Sequence, residues 1–487
     1  MEDENGQNKA KNSLSNNWRS LFWVIFLVLF LGSLLVAFGL NLAPFFLVTC
    51  LIGILFAWRF TYFTLYLAIF FLPFLGFTVS IPTGSLKFGE RAFGGSIDLF
   101  LGETILLFVL GAWAIKIFYL WYKRRDSNWQ PILPLWQPYL ALTGAHLISV
   151  FSSYAPDPVM VLKFVLRPVL FCYVAFVVMP VNLIRSRRRL KAVLGILTVV
   201  GVLASLNGLL SLASVESIGS FVRRAHPIAL FGLSPIGENH NVLAELLLMT
   251  GPLSMALAVL AKKDRWKSLL FGLAGLQLLV ALMTFARTAW IVFFAQAVFM
   301  LATVWRPMVK KYISELLFLI ILLIPLALIQ IQFSFSHVAQ SSNSTRWMLT
   351  DIAYQAFLEH PIIGSGAGTY VWRVGSAQVF IQEFGDPLDA HGFWQKLMTE
   401  TGLLGILTYA WLLLAGVEMI RHTLKFIPKN KQLAAYALVC SAGGAILYQF
   451  LNTAYWTAHM WLPVGIMLAG ISILRHADRE LEPPSLI

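Results

Sequence analysis

The chain has 487 residues, of which 58% are hydrophobic, 14% aromatic and only 12% charged, and its formal net charge is +13. Soluble domains carry about 25% charged residues, so this balance, with a mean hydropathy of +0.75, excludes a cytosolic enzyme and a disordered chain. The three cysteines, Cys50, Cys172 and Cys440, all lie in apolar runs, which excludes a disulfide scaffold and reads as buried lipid-side or core thiols.

A bilayer core about 30 Å thick takes roughly 20 apolar residues, and about fourteen runs of that kind follow one another along the chain. They fall at 21–38, 43–57, 61–78, 98–121, 133–152, 159–181, 192–214, 239–261, 268–285, 289–305, 313–333, 395–420, 432–453 and 460–474. The expected class is an all-α polytopic membrane protein of about 12–14 transmembrane helices. It has a polar tail at 1–20, one membrane domain over 21–474 and a second tail at 475–487. The first run meets no small-residue cleavage site and reads as an uncleaved helix. With the N-terminus cytoplasmic, the tails and the loops on that side hold 25 of the 36 lysines and arginines, among them Lys123, Arg124, Arg125, Lys262 and Lys263. This is the positive-inside asymmetry. It accounts for the basic charge without nucleic acid, leaves membrane lipid as a partner, and predicts both termini on the cytoplasmic side of the membrane.

The other side carries three longer segments, 79–97, 215–238 and 334–394. The last exceeds an ordinary connector and predicts a folded unit or a lid. Within it Ser344 is the expected cap of an amphipathic helix from about Thr345 to Glu359. Met348, Leu349, Ile352, Ala353, Phe357 and Leu358 fall near one face, which would lie on the outer membrane surface or on the helix bundle. His360-Pro361 ends the helix.

Polar groups collect where helices emerge on this outer side. Arg287, in Phe285-Ala286-Arg287-Thr288-Ala289-Trp290, lies between two apolar runs; it is either a functional charge or an arginine snorkelling beside an anchoring tryptophan. His391 stands where the long segment re-enters the membrane, with Asp389 two residues before it and Lys396 and Glu400 one and two turns after. A histidine there reads as a general base at the membrane surface or as a structural residue. Arg223 and Arg224 suit a phosphate, which guanidinium groups bind in bidentate fashion, or are plain loop charge. Lys163 and Arg167, four residues apart, are a further candidate pair. Gly364, Gly366 and Gly368 follow no strand of a βαβ unit; they read as a turn that lets backbone approach a phosphate or a neighbouring helix. His-x-x-x-His, Cys-x-x-Cys, outer Asp-x-Asp, Walker and Gly-x-Ser-x-Gly patterns are absent from the sequence. No metal and no cofactor are expected. Cationic groups with a histidine suit a diphosphate leaving group and a base that activates a hydroxyl.

The turn at 285–290 resembles the signature turn of the O-antigen ligase and O-antigen polymerase superfamily of bacterial membrane glycosyltransferases. The strings His360 to Tyr370 and Ala390 to Gly405 are similar to that family's His-Pro-x-x-Gly-x-Gly and His-Asn-x-x-Leu-x-x-x-x-Glu-x-Gly-x-x-Gly blocks in order and placement, within a motif-bearing region of roughly 235–420. The resemblance implies a GT-C-like helical fold and a polyprenyl-diphosphate-linked glycan donor. It also implies a glycan, lipid or protein acceptor and metal-independent transfer on the outer face. It assigns diphosphate contact to Arg287, activation of the acceptor hydroxyl to His391, and a second arginine to Arg223 or Arg224. Gly392 departs from the family's asparagine after the histidine, so that side chain's contacts are absent. Asn239 and Asn241 fall near the asparagine that the family often places at the start of the span before Arg287. A cyanobacterial subgroup of similar proteins is linked to bicarbonate uptake, which makes small-anion transport the alternative. Transporters place polar groups near the bilayer midplane, whereas these lie at the outer ends, which favours transfer.

Overall fold

A computed structural model describes residues 43–82, 86–88, 91–93, 96–123, 131–152, 164–213, 223–229, 232–303, 321, 324–325, 327–332, 337–385, 387–452 and 457–476. The expected span 21–38, most of 313–333, and Lys163 lie outside the described residues. In chain order the helices are α1 (Ala43–Arg59), α2 (Thr61–Phe71), α3 (Leu101–Lys123), α4 (Trp136–Ser149), α5 (Met179–Leu183), α6 (Arg187–Ser211) and α7 (His240–Leu260). They continue with α8 (Asp264–Met283), α9 (Arg287–Thr303), α10 (His337–Glu359), α11 (Tyr370–Ser376), α12 (Gln378–Phe384), α13 (Phe393–Leu424), α14 (Lys429–Asn452) and α15 (Ala458–Arg475). Among the described residues seven helices are long and apolar enough to cross a membrane: α3, α6, α7, α8, α13, α14 and α15. The pair α1 and α2 would make an eighth as one broken span, and Val169–Leu183 and α9 are shorter apolar helices. The protein is therefore a multi-pass, all-α membrane protein. Its strands, β1 (Thr78–Pro82), β2 (Leu86–Phe88), β3 (Arg91–Phe93) and β4 (Ser96–Phe100), form only two antiparallel pairs, β1 with β4 and β2 with β3.

The chain divides into two compact units. The smaller comprises the residues up to Leu65 together with Ile105–Arg125. In it Gly53 leaves room for the Phe108 ring, and Lys116 donates to the Thr61 hydroxyl at 2.7 Å. The larger unit holds everything else, including every residue of the candidate site described below.

In the larger unit α7 is the hub, packed against α6, α8 and α14. Apolar burial gives helices little reason to associate inside lipid, so close backbone approach and polar contacts do much of the joining. Gly201 on α6 faces the Gln277 and Thr250 side chains, and Gly444 on α14 faces Gln296. Gln277 donates to Ser254 at 3.0 Å, and Gln296 donates to the carbonyls of Leu248 and Cys440 at 3.1 Å each. Cys172 and Cys440 are buried, whereas Cys50 is exposed.

Three local departures from the sequence expectation shape the site. The amphipathic helix α10 begins at His337, so Ser344 lies inside it instead of capping it. Tertiary contacts of the Ser-Asn-rich stretch, among them Asn343 with Arg287 and a buried Thr345, override its weak helix propensity. Its buried stripe is Thr345, Leu349, Ala353 and Ala356, while Leu358 is 52% exposed on the opposite side. The segment thus rests on the protein, where Leu349 and Ala353 join Tyr370, Val374, Phe380 and Ala390 in a small separate core. Arg167 lies in a π-helical turn, Val165–Phe171, so the regular face expected for Lys163 and Arg167 is absent at Arg167.

The third departure is in α13, which breaks at Gly402 (φ 61°, ψ −153°). The rings of Phe393 and Tyr409 are 4.8 Å apart, although a straight helix would separate them by about 24 Å along its axis. The stretch 393–401 therefore folds back on the start of the spanning stretch 403–424. The freed backbone groups are satisfied by the glycine segment. Ser365 and Gly366 donate to the carbonyls of Thr399 and Glu400 (2.8 and 3.0 Å), while Leu403 and Leu404 donate to those of Pro361 and Ile362 (2.9 and 3.0 Å). Gly364, at φ 71°, sits so close that an added Cβ would lie 2.4 Å from the Glu400 carbonyl carbon. The two glycine-bearing blocks are one backbone lock, and the approach to a neighbouring helix is the reading of the glycines that the structure bears out.

Candidate active site

α8 and α9 are joined by a turn of three residues in which Phe285 adopts a left-handed φ of 51°, a conformation that is rare for a bulky side chain. Thr284 donates to the Ala281 carbonyl and accepts from the Ala286 N–H, and the Trp290 indole donates back to the Leu282 carbonyl at 3.2 Å. The tryptophan of the turn thus ties off the end of α8. Arg287, the first residue of α9, points toward α10, where its guanidinium donates to Asn343.

One turn along α10 stands Arg346, which no reading of the sequence singled out. It is partly buried, it donates to the Leu451 carbonyl at 3.5 Å, and its Nε has no hydrogen-bond partner among the described residues. Burial and the nearby charge of Arg287 push its pKa below the usual guanidinium value, although an arginine keeps its charge throughout the physiological range. No carboxylate within the described residues forms an ion pair with it.

His391 is partly buried, and the Asn452 backbone is among the groups that act on its ring. In its neutral form one ring nitrogen carries the proton and the lone pair of the other can act as a base. Burial first, and the Arg346 charge second, hold its pKa below the ordinary imidazole value, against an opposing pull from the Asn452 carbonyl and Asp389. Asp389 is itself held by Lys396 at 2.8 Å, which pins the loop to the first turns of α13. An added Cβ at Gly392 would lie 2.7 Å from the Phe450 carbonyl oxygen. The departure from the family's asparagine therefore coincides with close approach of this loop to α14.

The last turn of α14 is the common floor. The Leu451 carbonyl accepts from Arg346, and the Asn452 backbone acts on His391, at the end of a helix where the dipole favours positive charge. Tyr448 donates to the Asn241 carbonyl at 2.8 Å, and the Gln449 amide donates to the buried Glu245, which faces His459 at 3.6 Å. Arg287, Arg346 and His391 thus share one electrostatic neighbourhood, assembled from α9, α10, the loop before α13 and the end of α14.

Arg223 and Arg224 lie elsewhere in the contact network. Their segment is pinned to the ends of α6 and α8, with Asn207 paired to both backbone groups of Ile228 and Ala225 donating to the Met283 carbonyl. Arg223 is exposed and donates to the Leu212 carbonyl at 3.0 Å. Arg224 is partly buried, lies 3.4 Å from the His240 ring, and has its pKa lowered by burial. Asn239 caps α7 by accepting from the Asn241 N–H at 2.9 Å. Among the described residues no three His, Cys, Asp or Glu side chains come together as a set of metal ligands.

Arg346 could have been found from its place beside Thr345 and Leu349 on the buried stripe of an amphipathic helix, where a charge is expensive. The roles of Leu451 and Asn452 leave no mark in the sequence, because backbone carbonyls make the contacts.

Because Arg346 disfavours imidazolium, Arg346→Met is expected to raise the pKa of His391. The pH dependence of His391 modification by diethyl pyrocarbonate, followed by peptide mass spectrometry, reads this directly. The midpoint should move to higher pH in the variant, and an unmoved midpoint would separate the two residues.

The fold and site define a multi-pass helical membrane protein with guanidinium groups and a histidine gathered at one end of the bundle. Residues 271–410 match the family model described as O-antigen ligase, which supports placing the chain in the O-antigen ligase and polymerase superfamily and supports a membrane glycosyltransferase-like function in general. No curated protein matches the chain. The matched stretch includes Arg287, Arg346, the glycine lock and His391, whereas the α14 floor lies beyond it.

Proposed function

We propose that the protein transfers a glycan from a polyprenyl diphosphate to an acceptor hydroxyl at the outer face of a bacterial plasma membrane, with guanidinium groups rather than a metal ion meeting the diphosphate charge. The observation that carries this reading is Arg346, a partly buried cation whose Nε has no hydrogen-bond partner among the described residues, beside Arg287 and His391. Buried charge without a counter-ion is costly, so such a group is suited to an anionic ligand.

Arg287 and Arg346 hold the donor diphosphate. Arg224 stands near the turn that carries Arg287 and is a second-rank contact, ahead of the exposed Arg223; Arg167 and Lys163 have no assigned part in the step. The unprotonated ring nitrogen of His391 takes the proton of the acceptor hydroxyl. The acceptor oxygen bonds to the anomeric carbon, and the bond from that carbon to the diphosphate oxygen breaks. Its electron pair leaves with polyprenyl diphosphate, whose charge the guanidinium groups stabilise. The imidazolium formed faces the α14 carbonyl end and Asp389, both of which favour it. An α-linked donor gives inversion. The acceptor is a lipid, a glycan or a protein hydroxyl.

Arg287→Lys is expected to lower kcat/KM for the donor by about 10²-fold, because a point charge cannot reproduce the bidentate fork. The assay is release of polyprenyl diphosphate from a labelled lipid-linked glycan by protein in nanodiscs. Wild-type turnover in that variant would reduce Arg287 to a simple electrostatic role. Failure of the wild type to turn over any acceptor, together with anion flux in liposomes, would favour small-anion transport.

A further inference from the structure

We propose that Gln395 is a positioning residue, whose buried amide sets the placement of the His391 base relative to the guanidinium of Arg346. The inference rests on the transfer reading above for its catalytic meaning, but its geometry stands independently. Gln395, in the first turn of α13, is 2% exposed. Its Oε1 accepts the backbone N–H of His391 at 3.0 Å, and its Nε2 donates to the Thr350 hydroxyl on α10 at 2.7 Å. The Thr350 hydroxyl in turn donates to the Arg346 carbonyl at 2.8 Å.

The direction of every bond in this chain is determined. Thr350 spends its only proton on Arg346, so toward Gln395 it can only accept. A backbone N–H can only donate. The residue between them must accept at one atom and donate at the other, which a carboxamide does; a carboxylate would present an acceptor to an acceptor, and an apolar side chain would satisfy neither partner. Loss of either bond leaves a buried polar group unpaired.

Gln395 therefore joins three parts of the protein: the loop that carries the base, the start of α13, and the helix that carries the phosphate-binding arginine. In a displacement reaction the separation between the held leaving group and the base decides whether the acceptor oxygen meets the anomeric carbon in line. A misplacement of about 1 Å can cost as much as 10²-fold.

The test compares Gln395→Met, Thr350→Val, their double variant and Thr350→Ser in nanodiscs. Each single variant is expected to lower kcat by about tenfold to 10²-fold with the donor KM little changed, since the alignment of the base with the reacting bond is lost while donor binding is kept. The double variant should be no worse than the weaker single, and Thr350→Ser, which keeps the hydroxyl, should retain most of the turnover. Additive losses, or a lowered melting temperature with full turnover per folded molecule, would overturn the proposal. A second arm needs no turnover: His391 modification by diethyl pyrocarbonate is measured with and without inorganic pyrophosphate. Pyrophosphate should protect His391 in the wild type and in Thr350→Ser, and protect it less in Gln395→Met and Thr350→Val. Equal protection in all four proteins, or none in the wild type, would overturn the coupling. Wild-type protein that shows this protection pattern yet transfers no glycan would instead refute the transfer reading.

Discussion

His391→Ala is expected to lower glycan transfer by about 10²- to 10⁴-fold, the range ascribed to a positioned general base, while the protein inserts and folds as the wild type does. The ring is only partly buried, so its removal leaves the backbone lock and the small core of 337–398 in place. The pH profile carries a second signature. The neutral ring is the active form, so turnover should fall as pH drops through the pKa of His391, and that limb should lie at lower pH than for an ordinary histidine because burial and Arg346 oppose protonation. Asp389→Asn removes a charge that favours protonation and should move the limb lower still. Transfer by His391→Ala at the wild-type rate, or a limb that ignores both substitutions, would take the histidine out of the chemistry.

Gly364→Ala is expected to destabilise the protein by about 3 kcal/mol or more. A left-handed alanine costs roughly 1–2 kcal/mol, and forcing a methyl group into a packed interior costs roughly 1–3 kcal/mol more. Here the neighbour that must yield is backbone, the Glu400 carbonyl and the Thr401 nitrogen at 2.4 Å from the new atom. Giving way there would open the four hydrogen bonds that let α13 reverse at Gly402. The readouts are melting temperature and protease access to 337–392. Gly443→Ala is the matched control, since a Cβ at Gly443 meets nothing within 4 Å on the same helix bundle. Equal stability of the two variants would show that the lock is dispensable.

The membrane class was legible because hydropathy is a sum over local residues and a bilayer imposes a fixed length on each apolar run. The described helices α6, α7, α8, α14 and α15 lie close to their expected runs for that reason. Boundaries failed where a distant contact outweighed local preference. α10 runs back through Ser344 to His337, and the expected span at 395–420 is a reversal at Gly402 followed by the true crossing.

Arg287 and His391 could be picked out in the sequence by a similar logic, as polar groups too costly to leave at the edge of lipid without a purpose. Their partners could not. Asn343, Arg346, Gln395 and Asn452 come from segments far apart in the chain, and only the packing of α10 and α13 over the end of α14 brings them to the same place. Arg223 and Arg224, which the sequence offers as further phosphate contacts, are held by the ends of α6 and α7. Composition and hydropathy alone thus determine that this chain lives in a membrane. Which cation faces the histidine, and why glycines recur before and after it, follow from backbone hydrogen bonds between distant segments, and local sequence cannot encode those one residue at a time.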